Sequence, residues 1–247
     1  MMKIYIIWLR QIKRYFRSRS RLIGSIAQPL LFLLALGFGF GPIFQKAGGG
    51  NYIQFLAPGI IGMAILITSL FSGAEIIWDR QFGFLKEMLV APVSRLEIMI
   101  GRTLGGATVA VLQGMIVFLI SFLVGFRPQA TFWPLALIFM FLVAILFCAL
   151  GTTIASLLTD IQGFQLIMNF LVMPLFFLSG ALFPLQGLPQ IFIKIASLDP
   201  LSYGVDGLRA SLIGGAHFGF LADFAVLGIV ASLFLVLGSY FFSKMEI

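Results

Sequence analysis

The sequence predicts an all-α integral membrane protein with six transmembrane helices, and three observations carry that prediction. Hydrophobic residues make up 60% of the 247 positions and charged residues 10%, with a mean hydropathy of +1.09, whereas a soluble domain carries about 25% charged residues. The apolar residues gather in six stretches of roughly 20 or more, the length at which a helix crosses a hydrocarbon core of about 30 Å. The charges lie between those stretches: residues 1–21 hold seven of the sixteen Lys and Arg and no acid, and a second charged island occupies 79–102.

Residues 1–21 read as an amphipathic helix. At 100° per residue Ile4, Trp8, Ile12, Tyr15 and Phe16 share one face, and Lys3, Arg10, Arg14 and Arg17 share the opposite one. This pattern predicts a helix lying on anionic lipid, anchored by Trp8, Arg10, Arg14 and Arg17. The basic region is too long for a signal peptide, and no small-residue cleavage site follows it. A net charge of +7 does not point to nucleic acid, because the cations sit at the amino terminus and in the island rather than in an aromatic-interleaved patch.

The six spans are placed at 22–44, 55–78, 102–126, 132–158, 162–183 and 221–242. With the amino terminus inside, the cytoplasmic segments carry twelve Lys and Arg and the outer connections four, which obeys the positive-inside rule. The chain is read as a single transmembrane domain over 1–247. It comprises the interfacial helix (1–21), spans 1 and 2 (22–78), a cytoplasmic loop (79–101), spans 3 to 5 (102–183), an outer segment (184–220), and span 6 with the carboxy terminus (221–247).

Within the island, Phe82, Leu85, Met88 and Leu89 fall at helical spacing with Lys86 and Glu87 turned away, which fits a short amphipathic helix over 81–91 ended by Pro92. Ser94 and Glu97 then form a capping-box pattern that starts the next helix. A solvated loop and a partner-binding helix both suit this pattern. In the outer segment Leu188, Ile191, Phe192, Ile195 and Leu198 form a helical stripe. Asp199-Pro200 supplies an N-cap and first-turn proline for a second short helix, which Gly214-Gly215 terminates. Two helices dipping into the outer leaflet is the reading preferred to a surface loop, which would leave this apolar surface in water.

Signals of chemistry are sparse. No G-x-x-x-x-G-K-[ST] phosphate cradle is present, one histidine (His217) and one cysteine (Cys148) make no metal or disulfide framework, and no nucleophile has a base at readable spacing. Glu75 and Asp79 fall at the inner end of the second span, where an acid either snorkels to the interface or serves a function. The pairs Gly37/Gly41 and Gly101/Gly105 permit close helix packing.

The island from Asp79 to Arg95, with Phe177-Leu178-Ser179-Gly180-Ala181-Leu182-Phe183-Pro184, Asp199-Pro200-Leu201-Ser202-Tyr203 and Asp206-Gly207-Leu208-Arg209, resembles the membrane subunit of a type-2 ATP-binding-cassette exporter. The daunorubicin-resistance-like branch is nearest, and the likeness covers essentially the whole chain. The resemblance implies a coupling helix that docks an ATPase through Arg80, Phe82, Leu85, Lys86, Met88 and Leu89. It also implies re-entrant helices before the last span, with a signature at Pro200, Tyr203, Asp206 and Arg209. The candidate translocation path runs along the first, second and fifth spans, where Gly59, Gly62, Asn169, Ser179 and Gly180 give small or polar surface. Two copies of a cytoplasmic ATPase, which would hold the ATP and magnesium, and a second permease subunit in a homodimer are the implied partners beside membrane lipids. This chain is expected to carry no cofactor and to be no enzyme. It would sit in the cell membrane with both termini cytoplasmic, exporting a drug, lipid or glycan-type cargo. An ATPase-independent scaffold or a membrane-embedded enzyme is the alternative.

Overall fold

The computed structural model describes residues 2–48, 50–85, 93–128 and 132–245. Among the described residues the secondary structure is helical, in ten helices: α1 (Met2–Arg17), α2 (Arg19–Lys46), α3 (Tyr52–Ser72), α4 (Ala74–Gln81), α5 (Arg95–Leu123), α6 (Trp133–Leu157), α7 (Ile161–Leu178), α8 (Gln190–Leu198), α9 (Pro200–Ile213) and α10 (Phe220–Ser243). Six helical segments are long and apolar enough to cross a membrane, at Ile23–Lys46, Tyr52–Gln81, Arg95–Leu123, Trp133–Leu157, Ile161–Leu178 and Phe220–Ser243. The six-span, all-α reading therefore holds.

The second span is the hub. Of its apolar window 78% is buried, against 17% for the first, fifth and sixth spans, so α3 sits inside the bundle while α2, α7 and α10 lie at its periphery. The span is broken at Gly73, where the helix restarts as α4. There is no room for a side chain at that break: a Cβ on Gly73 would meet the Gly151 backbone of α6, and one on Gly151 would meet Leu70. Apolar burial at about 25 cal/mol per Å² explains helix packing in water. In lipid, close backbone approach through small residues replaces much of that drive.

The same device seats α1. A Cβ on Gly101 would lie 2.9 Å from Ile7 Cβ, and one on Gly105 would lie 2.7 Å from Gln11 Cβ. Ile7, Gln11 and Tyr15 are accordingly buried against α5. Gly37 makes a comparable approach to Ile53, but its pair Gly41 has nothing within 4 Å. Gly105→Leu is expected to cost about 1–3 kcal/mol by overpacking, read as a lowered melting temperature in detergent. Gly41→Leu is the control expected to leave it unchanged.

Caps written in the sequence are formed. Ser94 Oγ accepts from the Glu97 N–H at 3.2 Å while a Glu97 carboxylate oxygen accepts from the Ser94 N–H at 2.8 Å. Asp160 caps α7 through the Gly163 N–H at 2.6 Å. Gly214 ends α9 in the left-handed region at φ +84°.

The two short helices α8 and α9 exist as expected, but they differ in depth. α8 presents Ile191, Phe192, Ile195 and Leu198 outward. α9 is not a surface helix: Leu201, Val205, Leu208 and Leu212 are buried among α3, α6 and α10. A Cβ on Gly204 would meet Val143 of α6, and one on Gly207 would meet Phe139.

Asp199 caps α9 with Oδ1 accepting the Leu201 N–H at 2.8 Å, while Oδ2 is buried without a hydrogen bond. Burial pushes its carboxyl up to about 8. The folded value lies above the unfolded value of about 3.9. Its stabilisation is thus complete below about pH 4 and is lost as pH rises through about 8. Asp199→Asn keeps an acceptor for the cap and needs no proton. It is expected to melt higher than wild type at pH 8 and to flatten the pH dependence of melting; superimposable profiles would show that this carboxyl is ionised throughout.

Candidate functional site

A cleft of about 460 Å³ with a mixed polar and apolar lining opens between the first, second and fifth spans beside α1. Gln11 and Tyr15 come to it from α1, Ser25 and Gln28 from α2, Thr68 from α3, Glu75 and Trp78 from α4, and Gln165 and Asn169 from α7. Its polar lining is thus mostly uncharged amide and hydroxyl. One edge is fixed by Gln113 of α5, whose Oε1 accepts from Tyr15 Oη at 2.5 Å and from Ser25 Oγ at 3.0 Å. Such a surface can hold a polar head by hydrogen bonds while Phe71, Val109 and Val172 meet an apolar part. Among the described residues, no three His, Cys, Asp or Glu side chains come together as a metal site.

Next to the cleft lies a buried ion-pair cluster. Asp79, at the end of α4, is 4% exposed and accepts from Arg10 Nη2 at 2.9 Å, from Arg14 Nη1 at 3.4 Å and from Arg102 Nη2. Arg102 of α5 is itself only 5% exposed. Arg14 also pairs with Glu75 at 3.7 Å. The Arg10 guanidinium lies 3.8 Å over the Phe84 ring and that of Arg14 lies 5.6 Å over Trp78. Trp8 Nε1 donates to Thr108 Oγ1 at 3.0 Å. One carboxylate therefore fastens α1 to the second and third spans, three residues before the turn at Phe82 and Gly83.

This corrects the expectation for α1. Arg10 and Arg14 turn toward buried acids rather than toward anionic lipid, and Trp8 turns toward α5. Arg17, one turn further on, is exposed. Glu75 and Asp79 are bridge partners, not snorkelling acids. A signal was present: Glu75 and Asp79 are four apart, as are Arg10 and Arg14, so two helices laid side by side match acid to base rung by rung.

The island divides. Phe82 is 82% exposed, but Leu85 is 1% exposed and belongs to this chain's own core, so it is not presented to a partner. Arg80 is half-buried and engaged within the chain. Lys86, Met88 and Leu89 lie outside the described residues.

Of the candidate path residues, only Asn169 lines the cleft. Gly59 is a packing glycine, since a Cβ there would lie 2.5 Å from Ala181 O, and Gly62 faces Val205 at 3.0 Å. Ser179 Oγ donates to Phe176 O at 2.9 Å and accepts from the Ala181 N–H, and Gly180 makes the turn at φ +71°. Gly59 and Gly62 thus serve internal packing, because a small residue that offers surface to a ligand offers it equally to a neighbouring helix, whereas Ser179 lines a smaller pocket at the far end of the bundle.

The signature residues are brought together at the end of the bundle away from the amino terminus, although Asp206 and Arg209 do not pair. Asp206 accepts from the His217 N–H at 2.8 Å and the Phe218 N–H at 2.7 Å. Arg209 Nη2 donates to Gly180 O at 3.0 Å and its guanidinium stacks 4.0 Å over Phe55. Tyr203 Oη donates to Ser197 O at 2.9 Å and its ring lies on Phe218. Pro200 is the first residue of α9. Burial lowers the Arg209 guanidinium to about 10.

Comparison with known proteins agrees with this architecture. Residues 2–213 match the family described as ABC-2 type transporter. The chain is similar to nodulation protein J of Rhizobium leguminosarum bv. viciae, with 26% identity over 238 residues, covering 92% of this chain and 90% of that protein. It is also similar to the putative transport permease ycf38 of Cyanophora paradoxa, with 33% identity over 210 residues, covering 80% and 71%. The corresponding protein of Porphyra purpurea is 31% identical over 211 residues, covering 81% and 70%. Six spans with no phosphate cradle, matched along most of its length, make this chain a multi-pass permease subunit that belongs to the ABC-2 type transporter family.

Proposed function

We propose that this subunit exports an amphipathic cargo whose polar head is held in the cleft between the first, second and fifth spans, powered by a separate ATPase that binds ATP and magnesium. The observation that carries the reading is the juxtaposition of the cleft with the Asp79 cluster: Gln11 and Tyr15 line the cleft on the same helix whose Arg10 and Arg14 grip Asp79. A push on the turn at Phe82 is thereby delivered to the cleft wall. The distribution of twelve cations against four supports an orientation with the amino terminus, and hence Phe82, on the cytoplasmic side. The ATPase docks there, two copies serving a homodimer in the cell membrane. The first and fifth spans, little buried within the subunit, are the surfaces available to the second copy. A drug, lipid or glycan head would meet the same amides. A cargo whose head is rich in hydrogen-bonding groups suits these amides and hydroxyls, because Glu75 is already paired with Arg14.

The test is vesicle transport with the ATPase co-expressed, using fluorescent amphiphiles bearing glycosyl, phosphocholine and cationic heads. Asn169→Trp, which fills the cleft, is expected to lower ATP-dependent uptake of whichever probe is carried by about tenfold or more while ATPase co-purification stays normal. Unchanged uptake in that variant would move the cargo path elsewhere.

A further inference from the structure

A second pocket, of about 280 Å³, lies at the end of the bundle that the proposed orientation puts outside. It is walled by Phe44 and Phe55 at the ends of the first two spans, by Asp206, Arg209 and Ser202 of α9, and by Phe218. Its size is at the small end of ligand sites, which run about 300–1,000 Å³, so it fits a single ring rather than a whole amphiphile.

Three features define the ligand. The first is charge: Asp206 and Arg209 both face the space, so a lone anion meets a carboxylate and a lone cation meets a guanidinium, and an uncharged molecule meets neither penalty. The second is unspent hydrogen bonding. Ser202 is 1% exposed, yet its hydroxyl has no hydrogen-bond partner, and the buried Nε of Arg209 has none either. Buried polar groups are ordinarily paired, and orphans of this kind call for a ligand or ordered water. Asp206 is held rigid by the His217 and Phe218 amides and keeps lone pairs that can accept further bonds. The third is the aromatic wall, since Phe44 and Phe55 lie 5.7 Å apart between centroids and give an apolar surface to ring carbons. Donors, a fixed acceptor and aromatic faces in a neutral pocket match a polyhydroxylated ring.

We infer that this pocket binds an uncharged glycosyl group, free or on a lipid head. The inference stands apart from the transport reading, because it concerns binding to the subunit alone and needs neither ATPase nor transport.

The experiment uses the full chain in nanodiscs with three diazirine lipids, bearing a glucosyl, a phosphocholine and a phosphoglycerol head, and maps the crosslinks by mass spectrometry. Crosslinks from the glucosyl probe alone are expected on residues 179–186 and 202–218. Ser202→Ala removes the unpaired buried hydroxyl and adds no bulk, so it is expected to leave melting unchanged or raise it while glucosyl labelling falls about fivefold. Arg209→Lys, which keeps the charge but lacks Nε, is expected to weaken labelling as well. Competition by free methyl glucoside would assign the ligand to a soluble sugar, and labelling without competition would assign it to a glycolipid. Equal labelling by all three heads, or glucosyl labelling that survives Ser202→Ala in a normally melting protein, overturns the inference and leaves a water-filled pocket.

Discussion

Asp79→Ala is expected to destabilise the subunit by about 3–5 kcal/mol, because it strands Arg102 in the protein interior. Asp79 and Arg102 are both nearly inaccessible, and breaking a buried pair from one side leaves an uncompensated charge. Replacing both partners with apolar residues of similar size should be far milder, so Asp79→Leu combined with Arg102→Met is expected to recover most of the melting temperature in detergent. That double variant carries the sharper prediction: it folds, yet Arg10 and Arg14 have lost their main anchor on α4. ATP hydrolysis by the docked partner is then expected to continue while transport fails. Normal transport in the double variant would show that the cluster only holds the fold together.

The second large effect separates two residues three apart. Phe82→Asp, at a side chain that is 82% exposed, is expected to leave melting unchanged and to weaken ATPase co-purification by about 2 kcal/mol or more, roughly thirtyfold in affinity. Leu85→Asp puts a charge into the core and is expected to fail at folding, with poor recovery of the subunit itself. A Phe82→Asp subunit that still retains its ATPase at low concentration would remove the island from the docking surface. The two variants together distinguish loss of a contact from loss of a structure, which either alone would confuse.

The spans were legible because lipid imposes one rule on every crossing segment: twenty or so apolar residues with the backbone satisfied internally. Helix ends were legible where a side chain caps them locally, as at Ser94 and Asp199. Facing was much less so. The amphipathic pattern of α1 correctly set Arg10 and Arg14 apart from its apolar face, yet it did not show that Asp79, 69 and 65 residues away from them, engages both. Nor did it show that Gln11 is buried against a glycine of α5. The cleft is made from six helices whose polar residues are scattered singly through apolar runs, and of those only Asn169 was assigned to the path from the sequence. Gly59 and Gly62 were assigned to the path because small residues were expected to mark surface, whereas in this bundle they mark contact.

The separation between the arginines of α1 and their carboxylate also bears on how the chain is made. Arg10 and Arg14 are synthesised 69 and 65 residues before Asp79, and Arg102 follows Asp79 by another 23. While the first span inserts, neither buried partner exists, and the two guanidinium groups face water or anionic headgroups. Only after the second and third spans have entered the bilayer can α1 roll onto the glycines of α5 and exchange lipid phosphate for Asp79. Insertion thus ends with a charge transfer from membrane surface to protein interior, and a chain stalled before residue 102 would leave its amino-terminal helix on the lipid.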